Sequence, residues 1–174
     1  MTLQAIAEKI QVCKECPLHK DAKQGVPGEG PANASIVFIG EAPGRSEDEQ
    51  GRPFVGRAGI LLEELLHRAG LHREQVYITN VVKHRPPDNR PPKTPEIKAC
   101  KHYLEDELML LKPKLVVLLG GTAKKIRDHP LLKQTTVFET IHPAAAIRFP
   151  GIWKKRLEDD FDRLGQLVKQ MGLV

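Results

Sequence analysis

The sequence predicts an α/β fold, a three-layer α/β/α sandwich around a four-stranded parallel sheet, and three observations carry that prediction. Four apolar runs rich in β-branched residues, SIVFIG (35–40), VYITN (76–80), KLVVLLG (114–120) and TTVFETI (135–141), each have the length of a strand. Helical periodicity separates them, and strands alternating with helices form a parallel sheet covered on both faces. With 174 residues, 40% of them apolar, the chain can bury one full core and is short for two, so a single domain is expected over 1–174.

The elements follow in order. Leu3, Ile6 and Ile10 give a short amphipathic N-terminal helix, and the Gly/Pro-rich stretch GVPGEGPAN leads into the first strand. Residues 57–69 place Leu61, Leu62, Leu65 and Leu66 on one helical face after that strand. Beyond the second strand, PPDNRPPKTP (86–95) is too rich in proline for a helix until Thr94, where Pro95 at the first helical position opens one that runs to about Lys112. Residues 121–128 and 153–171 supply two more helices. In such a sheet, ligands bind at the carboxyl ends of the strands. Every segment with chemical content lies there: GEAPG after the first strand, Asn80 at the end of the second, GGTA after the third and His142-Pro143 after the fourth.

Composition narrows the partners. Against 22 acidic residues stand 27 Lys and Arg, a formal charge of +5 that favours a polyanion without requiring one. The N-terminus has no apolar signal region and no stretch approaches the ~20 apolar residues of a membrane span, so a soluble, cytoplasmic protein is expected. Cys13, Cys16 and Cys100 are an odd number without a secretion signal, which makes metal or redox chemistry a better reading than a disulfide framework.

Taken singly, the motifs are weak. GEAPG is neither GxGxxG nor a Walker loop and reads alone as a Gly/Pro turn, while a His before Pro often caps a turn. Together they are specific: GEAPGRSEDEQGRPFVGRAG, YITNVVK and HPAAAIR occur in order at strand ends, with CxxC upstream and Cys100 on the helix after the second strand. From about Cys13 to Arg163 this combination closely resembles the family 4 uracil-DNA glycosylases, base excision repair enzymes that carry a 4Fe-4S cluster.

The resemblance implies a function and a set of roles. The chain is expected to flip uracil from single- or double-stranded DNA and to hydrolyse its N-glycosidic bond, leaving an abasic site. Phe54 takes the place of the stacking aromatic, and Asn80 that of the base-reading amide, whose carbonyl accepts from uracil N3–H while its NH2 donates to O4. Glu47 matches the acidic residue that excludes the thymine methyl, although in RSEDEQ it reads equally as part of a solvated charge run. His142 is the candidate donor to the anion developing on O2. Gly40, Glu41 and Ala42 form the first motif, where Glu41 is the nearest carboxylate to a water-orienting position and either orients water or orders the loop. Within HPAAAIR, Ile147 is the candidate apolar wedge in the minor groove and Arg148 a phosphate contact, the alternative being a helical cap near Trp153.

The family's cluster ligands are four cysteines, and here Cys13, Cys16 and Cys100 stand at three of their places while His84 holds the other. Fifteen residues separate His84 from Cys100, the family spacing, so a Cys3His cluster site is expected, with zinc as the alternative metal for that set. VVKH is also similar to a related group trapped covalently on uracil-DNA through a histidine just before KTP. In this chain Pro92 occupies that place, so ordinary turnover is expected. Two rival classes remain: a non-catalytic iron-sulfur or zinc protein that binds DNA, and a nucleotide-binding α/β domain. A monomer is expected, and no clamp-binding peptide is evident.

Overall fold

The computed structural model describes residues 1–173. In chain order its elements are α1 (Leu3–Gln11), β1 (Ile36–Gly40), α2 (Arg45–Gln50), α3 (Arg57–Arg68), β2 (Tyr77–Asn80), α4 (Thr94–Leu111), β3 (Leu115–Leu119), α5 (Gly121–Lys124), β4 (Thr136–Thr140), α6 (Pro143–Arg148) and α7 (Ile152–Gln170), with short 3-10 turns between some of them. The four strands are all parallel and lie in the order β2-β1-β3-β4. All four expected strands are present, trimmed by a residue at one or both ends.

Alternation along the strands builds two cores. Ile36 and Phe38 of β1 join Leu115, Val117 and Leu119 of β3 under α3, α6 and α7, while Val37, Ile39, Val116 and Leu118 face α4 and α5. α1 lies on α4 through Ile6, Ile10, Cys100 and Tyr103. No helix among the described residues is long and apolar enough to cross a membrane.

Three local expectations differ from the structure. The helix expected over 121–128 stops at Lys124 and continues as i→i+3 turns, consistent with Pro130 just ahead. Two six-residue helices, α2 and α6, replace what reads as loop, each too short to show periodicity. β4 reads as a buried strand but is an edge strand, its burial rising only toward Thr140.

The sheet order carries the functional consequence. The chain goes from β1 to β2 on one side and then crosses to β3 on the other, so the switch point lies between β1 and β3. The first-motif turn after β1 and the Gly-Gly-Thr turn after β3 flank it. Glu41 Oε2 accepts from Thr122 Oγ1 at 2.6 Å across that crevice.

Candidate active site

Asn80, the last residue of β2, is 3% exposed, and its Oδ1 is buried with no hydrogen-bond partner. A buried unpaired acceptor costs about 1–3 kcal/mol; the other buried side-chain atoms without a hydrogen-bond partner are Arg73 Nε and Glu139 Oε1, and of the three only Asn80 Oδ1 lies at the carboxyl end of a strand beside the first motif. Its surroundings are narrow. A Cβ added to Gly40 would stand 2.7 Å from Asn80 Oδ1 and 2.5 Å from the Phe54 ring, so glycine alone leaves room between them.

Phe54 closes that space. It is 5% exposed and holds a left-handed φ of 51°, a conformation that a bulky L-residue avoids. Three devices impose it. Arg73 donates through Nη1 to the Phe54 carbonyl at 2.6 Å and through Nη2 to that of Pro53. Glu47 accepts from the N–H groups of Val55 and Gly56 at 2.8 and 2.7 Å. Gly59 lets α3 pass so close that a Cβ there would lie 2.0 Å from the Phe54 oxygen. Phe54 is part of the buried core under α3, α6 and α7, and its ring also borders the gap at Gly40 and Asn80.

Glu47 is not a member of a solvated charge run. Its other oxygen accepts from Gly44 N–H at 2.9 Å, so one carboxylate ties the first-motif loop to the Phe54 turn. Within that loop Pro43 has no N–H and Gly44's is taken, which leaves the N–H groups of Glu41 and Ala42 without a protein acceptor among the described residues.

His142 follows β4 and caps α6. Its Nδ1 accepts from Ala144 N–H at 3.0 Å, which places the proton of a neutral ring on Nε2. Burial pushes its pKa down to about 4, opposed only by the charge of Glu47, so the ring is neutral at physiological pH. It lies 5.5 Å from the Phe54 ring, centroid to centroid, at 23°. A planar base interleaved between two rings needs about 7 Å, twice the ~3.5 Å contact distance. The two rings are therefore too close together for a base to lie between them. Two features set its place: Gly120, at φ 90°, passes so close that a Cβ there would stand 3.0 Å from the His142 Cβ, and buried Asp160 of α7 accepts from Thr140 Oγ1 at 2.6 Å at the end of β4.

The Uracil DNA glycosylase superfamily profile matches residues 27–163, which include every residue of this constellation. The chain is 42% identical to the type-4 uracil-DNA glycosylase of Sulfurisphaera tokodaii, spanning 96% of this chain and 85% of the relative. With the type-4 enzyme of Thermotoga maritima it shares 40% identity over 98% and 96% of the two chains, and with that of Pyrobaculum aerophilum 44% over 87% and 88%. The chain belongs to the type-4 uracil-DNA glycosylase family. Among solved structures, a uracil DNA glycosylase fold from Methanosarcina acetivorans superposes with a TM-score of 0.56 at 19% identity, covering 82% of this chain and 98% of that one, a likeness of fold alone.

The conspicuous hollows of this family member lie elsewhere. The larger, about 570 Å³, is lined by Glu29, Arg52, Glu63 and Arg73 near the amino end of β2, away from the strand carboxyl ends. Position in the sheet and the orphaned Asn80 acceptor, and not cavity size, mark the site.

The cysteines gather at the α1–α4 corner. Cys13 and Cys16 follow α1, and their fields reach Cys100, whose thiol burial pushes up to about 12. Lys83 N–H donates to Cys100 Sγ at 3.2 Å. His84 is buried; the charges acting on its ring are those of His19 and Asp48, and no hydrogen bond joins it to a cysteine. Among the described residues no three His, Cys, Asp or Glu side chains converge tightly enough to hold a single metal ion.

On the α6 side, Ile147 packs partly against the core. The freely exposed apolar side chains of that segment are instead Phe149, 59% exposed, and Ile152, 82% exposed, beside Arg148, Lys154 and Lys155.

The sequence reading missed the residues that hold the site in shape: Arg73, Thr122, Lys83 and Glu107. None lies in a motif that announces its role. Lys83 is the only one with a signal, since it sits in VVK directly after β2 and Asn80.

Proposed function

We propose that this chain removes uracil from DNA by hydrolysing its N-glycosidic bond, as the name of its type-4 relatives implies. The unpartnered Asn80 Oδ1 over Gly40 carries this reading. Uracil stacked on Phe54 supplies what that oxygen lacks, its N3–H, while the amide NH2 donates to O4. Cytosine presents an acceptor at N3 and an amino group at position 4, so the same amide leaves buried groups unpaired on it, the kind of mismatch that discriminates strongly.

His142 donates its Nε2–H to uracil O2 from the edge of the stack, and the free N–H groups of Glu41 and Ala42 add to the stabilisation of the leaving anion. Glu41 serves both alternatives: one oxygen is held by Thr122, and the other is free to orient water toward the sugar. Glu47 walls the base at C5 by fixing the Val55-Gly56 turn. Arg148 meets phosphate, and the wedge that enters the vacated stack is Phe149 with Ile152 more than Ile147, because Ile147 is already partly spent on the core.

Cys13, Cys16, Cys100 and His84 hold the 4Fe-4S cluster. The donor chemistry fits: three neighbouring thiols, one receiving a backbone N–H as cluster sulfurs do, with His84 next in the chain to the donor of that bond. When bound, the cluster cross-links the segment after α1, the segment after β2 and α4; no step at uracil runs through it.

The test is incubation of the purified protein with single- and double-stranded oligonucleotides carrying one uracil, followed by alkali. Cleavage at uracil and none at thymine or cytosine is the expected result. Binding without alkali-labile sites overturns the reading in favour of a non-catalytic DNA-binding protein.

A further inference from the structure

Behind the Asn80 pocket lies a charge pair that the chemistry proposed above does not use. Lys83 is wholly buried, and its ammonium donates three hydrogen bonds: to Thr79 Oγ1 at 2.6 Å, to the Asn80 carbonyl at 2.7 Å and to Glu107 Oε1 at 2.5 Å. Those three complete its donor capacity. Glu107, 1% exposed on α4, is saturated in turn, its Oε2 accepting from Tyr77 O–H at 2.7 Å and from Gly28 N–H at 3.1 Å.

A buried ion pair is weak evidence for stability, because apolar residues of the same volume often serve the fold as well or better. What this pair does that apolar residues cannot is grip a particular carbonyl. Asn80 ends β2, and beyond it Val81 and Val82 donate to the carbonyls of Gly40 and Glu41 at 3.0 Å each, so the backbone there is tied sideways to the first motif. The Asn80 carbonyl itself is tied downward by Lys83. Lys83 is in turn held at both ends by α4, through Cys100 at its N–H and Glu107 at its ammonium. Cys100 and Glu107 are seven residues apart and lie on one face of that helix.

The geometry points to Lys83, held by Glu107, as a positioning residue for base recognition: it fixes the Asn80 peptide so that the side-chain amide meets the pocket in one orientation. This inference rests on the reading of Asn80 as the base-reading residue. Loss of the Lys83 bond frees the Asn80 backbone to tilt, which blurs the direction of the donor and acceptor, slows the step at uracil and weakens rejection of cytosine. DNA affinity, set at the surface by phosphate contacts, does not change.

The experiment is a comparison of Lys83→Met/Glu107→Gln with the parent in single-turnover excision from uracil and cytosine oligonucleotides, alongside Asn80→Ala and the triple variant. Enzyme is in excess, so the amplitude counts folded protein while the rate constant reports the step; a purely structural role lowers the first and leaves the second. The expected result is a rate constant for uracil lower by about tenfold or more, a smaller uracil-to-cytosine ratio, and unchanged affinity for uracil-free DNA. In the Asn80→Ala background the Lys83/Glu107 change has little further effect, since it acts through Asn80. If the double variant does not fold, Lys83→Arg keeps the charge opposite Glu107 while its planar fork displaces the point donor, and the same loss of rate is expected.

A folded double variant with the parent's rate constant overturns the inference and leaves the Asn80 reading standing. So do equal, multiplying losses in the parent and Asn80→Ala backgrounds. Undiminished excision by Asn80→Ala overturns both, which separates the two failures.

Discussion

The neutrality of His142 has a consequence that can be measured in the rate of excision against pH. On the proposed mechanism the ring donates through its Nε2–H, with Nδ1 occupied by Ala144 N–H, and burial beside Phe54 holds its pKa down at about 4 against the opposing charge of Glu47. At pH 5.5 such a group is still about 97% neutral, whereas an imidazole at the ordinary 6.5 is only about 9% neutral. A rate that depends on the neutral donor therefore stays level from pH 8 to about 5 and falls as pH approaches 4, while a solvent-like histidine would cost about tenfold by pH 5.5. The assay is single-turnover release of uracil from a single-stranded oligonucleotide at fixed ionic strength, with His142→Ala measured in parallel. That variant is expected to lose about 100-fold or more, about 2.7 kcal/mol of transition-state stabilisation, with DNA binding nearly intact. Stability moves in the same window: between pH 6.5 and 4 the unfolded chain takes up a proton that the folded one refuses, so acidification destabilises the parent through this group and spares His142→Ala. An acid limb with a midpoint near 6.5, present in the parent and absent from His142→Ala, refutes the neutral donor; undiminished turnover by His142→Ala removes the residue from the mechanism.

Asn80→Asp is expected to slow uracil excision and to admit cytosine, since a protonated carboxyl offers donor and acceptor in the other order; release of cytosine from an oligonucleotide checks it, and a variant that still ignores cytosine defeats the permutation argument. Glu47→Gln places an NH2 among the three N–H groups of Gly44, Val55 and Gly56, leaving at least one buried donor unpaired at about 1–3 kcal/mol; a lower Tm together with slower excision is expected, and an unchanged Tm contradicts the staple role. The purified protein is expected to be brown with about four iron per chain, to lose colour on Cys100→Ser and to keep it on His84→Cys; zinc in place of iron sinks the cluster, and retention of full iron by Cys100→Ser sinks its ligand set.

The fold was legible because burial on both faces writes itself into β1, β2 and β3 as uninterrupted apolar runs. β4 has the same look, yet it is largely half-buried while β2, the other edge strand, is fully covered, since period and composition do not say what covers a strand. The short helices α2 and α6 left no trace, as six residues make under two turns. Among the site residues, position at strand ends was readable for Asn80 and His142, because the parallel sheet converges those ends. What was not readable is pairing across the chain. Glu47 looks like one charge in RSEDEQ until Val55 and Gly56 are seen to donate to it. Lysine is among the residues least often fully buried, so nothing in VVK announces that Lys83 is inaccessible to water or that its partner is Glu107, 24 residues on. For Ile147, the packing that leaves it half-buried depends on α3 and α7, which the segment HPAAAIR itself does not show.

The two energetically unfavourable features of the site lie on opposite sides of one gap. Phe54 is held at a positive φ, and Asn80 Oδ1 is buried without a donor; neither state survives by local preference. Each is enforced from behind by groups that face away from the gap: Arg73, Glu47 and the close passage at Gly59 on the Phe54 side, Lys83 and Glu107 on the Asn80 side. On the Phe54 side, the bonds of Arg73 and Glu47 hold the turn against relaxation. Gly40 leaves a gap bordered by the Phe54 ring and the Asn80 oxygen. On the proposed reading, uracil stacked on Phe54 meets that oxygen with its N3–H, a donor that cytosine lacks. On the function proposed above, the strain at Phe54 and the unpaired Asn80 oxygen belong to the recognition of uracil, arranged before the base arrives so that little reorganisation is left for the moment of reaction.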